Sequence, residues 1–177
     1  MLDWMGHVKL VDFGLSKKVN SKRTRTYSFV GSEGYASPEM MSKKPHNYLT
    51  DIYSIGVVLY DMLHGSPPFT KFDPISRTFK LDLDQGNVLK IRKSMSESCR
   101  KLLYRLLSKD PDHRLGVCGR TIDLLDDAWF SPARDSIRHR SQMDMPFTPA
   151  LSDNVLQMEQ NESILGQVLI DICGRFI

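Results

Sequence analysis

The residues best suited to chemistry are carboxylate, hydroxyl and guanidinium side chains that lie beside glycine in short, ordered groups. Carboxylate oxygen is the ligand that hard divalent cations prefer, and serine hydroxyls can accept a phosphoryl group. A group as short as Asp-Phe-Gly arises often by chance, so the order and spacing of the groups carry the information. In chain order they are Asp12-Phe13-Gly14, Gly31-Ser32 with Tyr35, Ser37-Pro38-Glu39, Asp51 to Gly56, and Asp110-Pro111 with Arg114-Leu115-Gly116.

A long apolar stretch, Tyr48 to Gly65, is predicted to be the core helix that positions these groups. Its large apolar residues point all round a helix, and such a helix must be buried. We expect Thr50 or Asp51 to cap its start, Gly65 to supply its left-handed end, and the following Pro67-Pro68 to stop it. The helix is too short and too polar at its ends to cross a membrane.

Shorter elements surround this helix. His7 to Val11 alternates as a short strand, and Ser94 to Ser108 has the apolar spacing of an amphipathic helix. Thr121 to Trp129 is predicted to form another helix. Pro67 to Gly86 is expected to be irregular, and the lower apolar content beyond Ser131 indicates a tail on the domain surface.

Composition favours one intracellular domain. A chain of 177 residues with 41% hydrophobic and 25% charged residues can bury a proper core. The net charge of +3 argues against nucleic-acid binding. The three scattered cysteines indicate a reducing compartment and form no metal site. With no signal peptide visible, we expect cytoplasmic or nuclear localisation and no membrane partner.

The ordered groups resemble the C-terminal lobe of a eukaryotic serine/threonine protein kinase. The runs before and after Asp12, and the segment Met145 to Ala150, are similar to the AGC group, in particular its ribosomal-protein and mitogen-and-stress-activated branches. This resemblance implies a mainly α kinase C-terminal lobe at residues 1–130, with a short β-hairpin at the N-terminus and no small lobe. It also implies an AGC-like tail at residues 131–177.

The resemblance implies a role for the residues nearest the chemistry. Asp12 would hold Mg²⁺ between nucleotide phosphates, with Phe13 and Gly14 completing its motif and Gly14 allowing the sharp turn. Ser32 would lie near the substrate hydroxyl. The alternative for Asp12 is a solvated turn residue.

Ser28 occupies the position at which similar kinases carry an activating phosphate. The loop before it is basic, with no acid between Gly14 and Ser28. A phosphate of about −1.5 to −2 charge could order these repelling cations. The alternative is a flexible, solvated loop. The cations are Lys17, Lys18, Lys22, Arg23 and Arg25.

Structural roles are implied for three more residues. Glu39 and Arg114 would form an ion pair that joins the end of the activation segment to the lower lobe. Asp51 would hold backbone groups of the catalytic loop from the head of the core helix. The departures at Val30, Gly34 and Ser37 place tight substrate positioning in doubt.

The 177 residues contain no Gly-rich nucleotide loop, no strand lysine and no His-Arg-Asp loop. We therefore predict an N-terminally truncated kinase with no complete catalytic set, inactive as this chain alone. ATP and Mg²⁺ would belong to the complete kinase, as would protein substrates and an upstream activating kinase. The alternatives are a non-catalytic interaction module or a fragment without function.

Overall fold

The computed structural model describes residues 10–18, 25–81, 88–117, 124 and 126–133. The chain divides into two compact units, one spanning Gly14–Gly119 and the other combining Met1–Phe13 with Arg120–Ile177. The larger unit contains helices α1 (Pro38–Met41), α2 (Leu49–His64) and α3 (Glu97–Leu106), and strands β1 (Thr70–Asp73) and β2 (Thr78–Leu81). Turns of 3-10 helix cover Phe13–Leu15, Glu33–Tyr35, Pro111–His113 and Ala128–Ala133. Over the described residues, the mainly α prediction is confirmed.

Helix α2 is the buried core helix, but its start differs from the prediction. The helix begins at Leu49, and Asn47 Oδ1 accepts a hydrogen bond from the Leu49 amide at 3.1 Å. Thr50 does not cap the helix, because its hydroxyl donates to the Asn47 carbonyl instead. The predicted end at Gly65 is confirmed: Gly65 has φ 81° and donates its amide to the Asp61 carbonyl at 2.7 Å.

Helix α3 packs on α2 where the two backbones come close together. A Cβ atom added at Gly56 would lie 2.8 Å from Leu106 Cβ, so only glycine fits this crossing without a shift. The predicted amphipathic helix is present but shorter than expected, with Ser96 Oγ accepting from the Cys99 amide at its start. Its buried face consists of Cys99, Leu102, Leu103 and Leu106.

The prediction that Pro67 to Gly86 is irregular was wrong for the two strands, and residues 82–86 lie outside the described residues. Strands β1 and β2 pair antiparallel, with Thr70 opposite Leu81 and Asp73 opposite Thr78. The strand was missed because β1 has no clean alternation of buried and exposed residues. This hairpin lies after α2, whereas the hairpin expected at the N-terminus lies largely outside the described residues. Within the predicted His7–Val11 strand, the structure describes only Leu10 and Val11, and neither of them lies in a strand.

The smaller unit is described over fewer residues. Of the helix predicted at Thr121–Trp129, the structure describes Leu124, which is helical, and residues 126–129, where a turn of 3-10 helix starts at Ala128. Trp129 and Phe130 are buried and meet edge to face, with ring centroids 5.0 Å apart. Of the tail predicted at residues 131–177, the structure describes residues 131–133, which end the Ala128–Ala133 turn, and residues 134–177 lie outside the described residues. Across the described part of both units, no helix has the length and apolar character needed to span a bilayer.

Candidate functional site

The described part of the larger unit contains a buried joint between Glu39 and Arg114. The Arg114 guanidinium donates to both carboxylate oxygens, at 2.7 Å to Oε1 and 2.9 Å to Oε2. The Arg114 side chain is fully buried and that of Glu39 is 7% exposed. A two-pronged arginine–carboxylate pair fixes orientation as well as distance. The structure therefore brings together two of the residues that the sequence singled out.

Arg114 uses its remaining donors on backbone carbonyls. Its Nη1 donates to the Leu49 carbonyl at 2.7 Å, and its Nε and Nη2 donate to the Ser108 carbonyl at 3.1 and 3.0 Å. The guanidinium carbon also lies 5.0 Å from the centre of the Tyr53 ring. One side chain thereby links α1, the start of α2 and the loop after α3. A buried charge needs such full pairing to be tolerated.

The joint also sets the protonation of Glu39. Burial, the largest single influence, raises the pKa of this carboxyl, but the hydrogen bonds and charge of Arg114 together with a backbone hydrogen bond leave the pKa below its ordinary value. The buried Ser37 hydroxyl is near enough to lower the Glu39 pKa further, although it makes no hydrogen bond of good geometry. Glu39 is consequently an anionic structural group and no proton donor at neutral pH.

Ser32 immediately precedes the Glu33–Tyr35 turn, which is fastened to α2 at two points. Tyr35 Oη donates to Asp61 Oδ2 at 2.8 Å, and Ser54 Oγ donates to the Tyr35 carbonyl at 2.9 Å. Burial and the hydrogen bond to Asp61 raise the pKa of Tyr35 to about 12, so the phenol stays a donor. Ser32 itself is exposed, and its carbonyl accepts the Tyr35 amide. An exposed hydroxyl thus sits on a firmly held turn.

Ser28 follows a segment that is held at Thr26. The Thr26 and His46 backbones exchange two hydrogen bonds, at 2.8 and 2.9 Å. Thr26 Oγ1 also accepts from Lys17 Nζ at 3.0 Å and lies 3.4 Å from Ser28 Oγ. Lys17 therefore brings one cation of the basic loop to the neighbourhood of Ser28. Lys18 and Arg25 are also exposed, while Lys22 and Arg23 lie outside the described residues.

Asp51 lies at the head of α2, as the sequence indicated. Asp51 is exposed, but the protein atoms around it displace much of its hydration, and this raises the pKa of its carboxyl. The nearby His46 lowers the pKa by a smaller amount. Its predicted hold on the catalytic loop stays a prediction.

Asp12 belongs to the smaller unit, where it is exposed and adopts a left-handed backbone with φ 65°. Phe13 and Gly14 follow it in a turn of 3-10 helix. In the described ranges, no three acidic, histidine or cysteine side chains converge in a way that could hold a metal. Asp12 offers one ligand of the chemistry that Mg²⁺ prefers, and the described residues do not complete a magnesium site around it.

Sequence reasoning missed the residues that hold the turn and the loop. Asp61 and Ser54 lie in the predicted core helix and Thr26 lies just before Ser28, but no role was predicted for any of them. Their positions relative to Tyr35 did carry a signal, since Ser54 and Asp61 are separated by about two helical turns and share one face of α2.

The larger unit is mainly helical and holds both a buried acid–arginine joint and a hydroxyl-bearing turn that is tied to α2 through Tyr35. The chain belongs to the protein kinase family, because the family model for the protein kinase domain matches residues 1–130. The expectation of a kinase is therefore confirmed at the level of the family.

Curated relatives agree with this assignment. The chain is 35% identical to human (Homo sapiens) serine/threonine-protein kinase Sgk2 over 149 residues, which cover 84% of this chain and 40% of that protein. It is 34% identical to the cGMP-dependent protein kinase, isozyme 1, of Drosophila melanogaster over 131 residues, or 73% and 17% of the two chains. The chain spans less than half the length of these relatives. They support the predicted serine/threonine kinase class and AGC group.

Proposed function

We propose that this chain is the C-terminal lobe of an AGC-group serine/threonine kinase whose complete product transfers the γ-phosphate of ATP to protein hydroxyls. The observation that carries the proposal is the Glu39–Arg114 joint. It anchors the segment that runs from Ser28 through Ser32 to α1, the part that the family resemblance assigns to activation and substrate binding. The ribosomal-protein and mitogen-and-stress-activated branch is the proposed subgroup, and an intracellular compartment is the proposed location.

In the complete kinase, the proposed roles follow the sequence. Asp12 would hold Mg²⁺, which would neutralise charge on the phosphates of ATP, ATP would supply the transferred phosphoryl group, and Ser32 would help to place the substrate hydroxyl. Ser28 is the site at which an upstream kinase adds the activating phosphate. The contacts among Lys17, Thr26 and Ser28 support this last role, because a phosphate there would meet a lysine already held within the same segment.

By itself the chain is proposed to be inactive. The 177 residues lack a His-Arg-Asp base and a nucleotide loop, and phosphoryl transfer depends on positioning by these parts. The test is to incubate the purified chain with Mg²⁺, radiolabelled ATP and a mixture of protein acceptors. We expect no incorporation above background.

An Asp12→Ala chain purified in parallel reveals any contaminating kinase, since a contaminant would label both samples equally. Transfer by the natural chain that disappears in the Asp12→Ala chain would overturn the proposed inactivity. The intact mass of the native protein from its source cells completes the test. A mass well above 20.3 kDa is expected for a complete kinase, and a mass equal to that of this chain would favour the non-catalytic interaction module.

A further inference from the structure

Positive charge is concentrated in one stretch of the larger unit. Residues 88–109 contain seven lysines and arginines and a single acid, Glu97, so seven positive charges less one negative leave +6. The whole chain of 177 residues carries only +3, so the other residues are acidic on balance. A stretch of such density is a candidate surface for an anionic partner. The cations are Lys90, Arg92, Lys93, Arg100, Lys101, Arg105 and Lys109.

Helix α3 presents part of this charge on one exposed face. Tyr104 is 56% exposed, and Lys101 and Arg105 are exposed as well. Residues three or four positions apart are neighbours on a helix. Tyr104 therefore adjoins Lys101 and the half-buried Arg100, and Lys101 in turn adjoins Arg105. We refer to Arg100, Lys101, Tyr104 and Arg105 as the α3 basic face.

The stability of the helix does not explain the charge of this face. Lys101 and Arg105 are four positions apart, and like charges at that spacing repel. The helix dipole favours a cation in the last turn, such as Arg105, but it disfavours Arg100 in the first turn. Glu97 pairs with Lys101 at 2.6 Å, but both side chains are exposed, so the compensation is small. Features that local rules disfavour are expected at functional surfaces.

The α3 basic face has a firm support within the larger unit. The inward side of α3 is buried, and the helix packs on α2. The segment that leads into α3 is fastened to the end of α2 at two points. Tyr60 Oη donates to the Lys90 carbonyl at 2.5 Å, and the Arg92 amide donates to His64 Nε2 at 3.3 Å. A backbone that is already held loses little conformational entropy when a partner binds.

The size and composition of the face favour a protein as its partner. Tyrosine and arginine are enriched among the anchors of protein interfaces. Nucleic-acid affinity grows with the number of phosphates neutralised, and the face offers three cations along a helix of 10 residues, about 15 Å. The face has no exposed aliphatic side chain to enter a bilayer. Lys101 and Arg105 lie about 6 Å apart along the helix axis, close to the spacing of alternate side chains in an extended polypeptide.

We propose that the α3 basic face is an interaction surface for an acidic segment of a partner protein. Carboxylates of the partner pair with Lys101 and Arg105, and a neighbouring side chain of the partner packs on the Tyr104 ring. The partner bound in this way is a regulator or scaffold and is not itself the phosphoryl acceptor. This inference does not depend on the proposed function, because a kinase lobe and a non-catalytic interaction module could each use the face.

The first test is a binding titration of the full chain, followed by fluorescence anisotropy. The probe is a short labelled peptide with glutamate at every second position and one central leucine, and the comparison peptide carries glutamine at every glutamate. We expect binding of the glutamate peptide alone, weakened at higher salt because exposed charges are screened. Equal binding of both peptides would overturn the proposal. So would tighter binding of a single-stranded RNA or of phosphatidylserine vesicles, which would assign the face to another class of partner.

Matched variants locate the binding surface. Tyr104→Ser and Lys101→Gln should each weaken binding of the glutamate peptide about five- to tenfold, as expected for anchors at the centre of an interface. Ile75→Ser and Lys71→Gln remove an exposed apolar group and an exposed cation from the hairpin and should leave binding unchanged. Thermal melts of all four variants check that each is folded. Equal weakening by the hairpin variants would contradict a site on α3.

Charge reversal distinguishes pairing on α3 from general attraction to a basic protein. A chain with both Lys101→Glu and Arg105→Glu should lose binding of the glutamate peptide and bind a peptide with lysine at the same positions, because the pairing is electrostatic. The control carries Lys44→Glu and Lys71→Glu, the same change of charge at exposed positions outside α3, and should still bind the glutamate peptide. Equal loss of binding in both chains would overturn the proposal.

Discussion

His113 and Arg114 are neighbours in the chain, and each is paired with a carboxylate at 2.7 Å, but the two pairs lie in opposite environments. The His113 and Asp110 side chains are 81% and 55% exposed, whereas Arg114 is fully buried and Glu39 is 7% exposed. Exposed pairs gain little because water and salt screen them. Breaking a buried pair leaves a charge without hydration or partner, and is therefore costly.

The two pairs also differ in what they connect. His113 and Asp110 are three positions apart and close a local turn, while Arg114 and Glu39 are separated by 75 positions. The buried pair fixes two distant segments of the chain against each other, and one of these segments carries the proposed substrate site. Two ion pairs of the same length therefore differ in their effect on stability, because burial and sequence separation decide what each pair contributes.

The largest expected effect comes from breaking the buried pair. Arg114→Met should lower the free energy of unfolding by about 3–5 kcal/mol, because Glu39 is left buried without its partner. Urea denaturation followed by circular dichroism measures the change. His113→Ala, one residue away, is the matched control and should cost far less. Similar losses in both variants would contradict the comparison.

A smaller loss is expected where α2 meets α3. In Gly56→Ala the new methyl group would lie 2.8 Å from Leu106 Cβ, and overpacking of this kind costs about 1–3 kcal/mol. The same denaturation experiment applies. Ser98→Ala, at a partly exposed position of α3, is the control. An unchanged midpoint in Gly56→Ala would show that the helices separate without cost.

The pH dependence of stability should show the ionisation of the Glu39 carboxyl. Its pKa is held below the ordinary value of 4.5 in the folded chain, so its stabilising contribution is complete above that value and is lost as the pH falls through the lower folded pKa. The natural chain should lose stability more steeply below pH 4.5 than Glu39→Gln. Parallel pH profiles, measured by thermal melting, would contradict an anionic Glu39.

The smallest effect is expected on the surface of α3. Glu97 and Lys101 are paired at 2.6 Å, with exposed fractions of 71% and 70%. Exposed pairs of this kind contribute little to stability, because water and salt screen the two charges. Lys101→Ala should therefore leave the denaturation midpoint nearly unchanged. If Lys101→Ala lost as much stability as Arg114→Met, burial could not explain why the two ion pairs differ.

Much of the fold followed from local patterns. The apolar content of α2, its end at Gly65 and the buried face of α3 were all predicted correctly, since each depends on residues close together in the chain. The hairpin was not, because its first strand, Thr70–Asp73, has no alternation of buried and exposed residues to mark it. A cap was assigned to Thr50 or Asp51, but both lie within the helix, and only the path of the backbone places the Leu49 amide against Asn47 Oδ1.

The candidate site, like the fold, has features that follow from the local sequence and features that depend on distant contacts. The kinase family resemblance, and the residues that are proposed to be functional, followed from the order and spacing of short groups along the chain, which is local information. The contacts between distant parts of the chain could not be predicted. Arg114 is enclosed by Glu39, Leu49 and Ser108. Asp61 holds Tyr35, and the hairpin lies beside the Glu33–Tyr35 turn. The physical reason is that burial and charge pairing are set by surroundings drawn from distant parts of the chain.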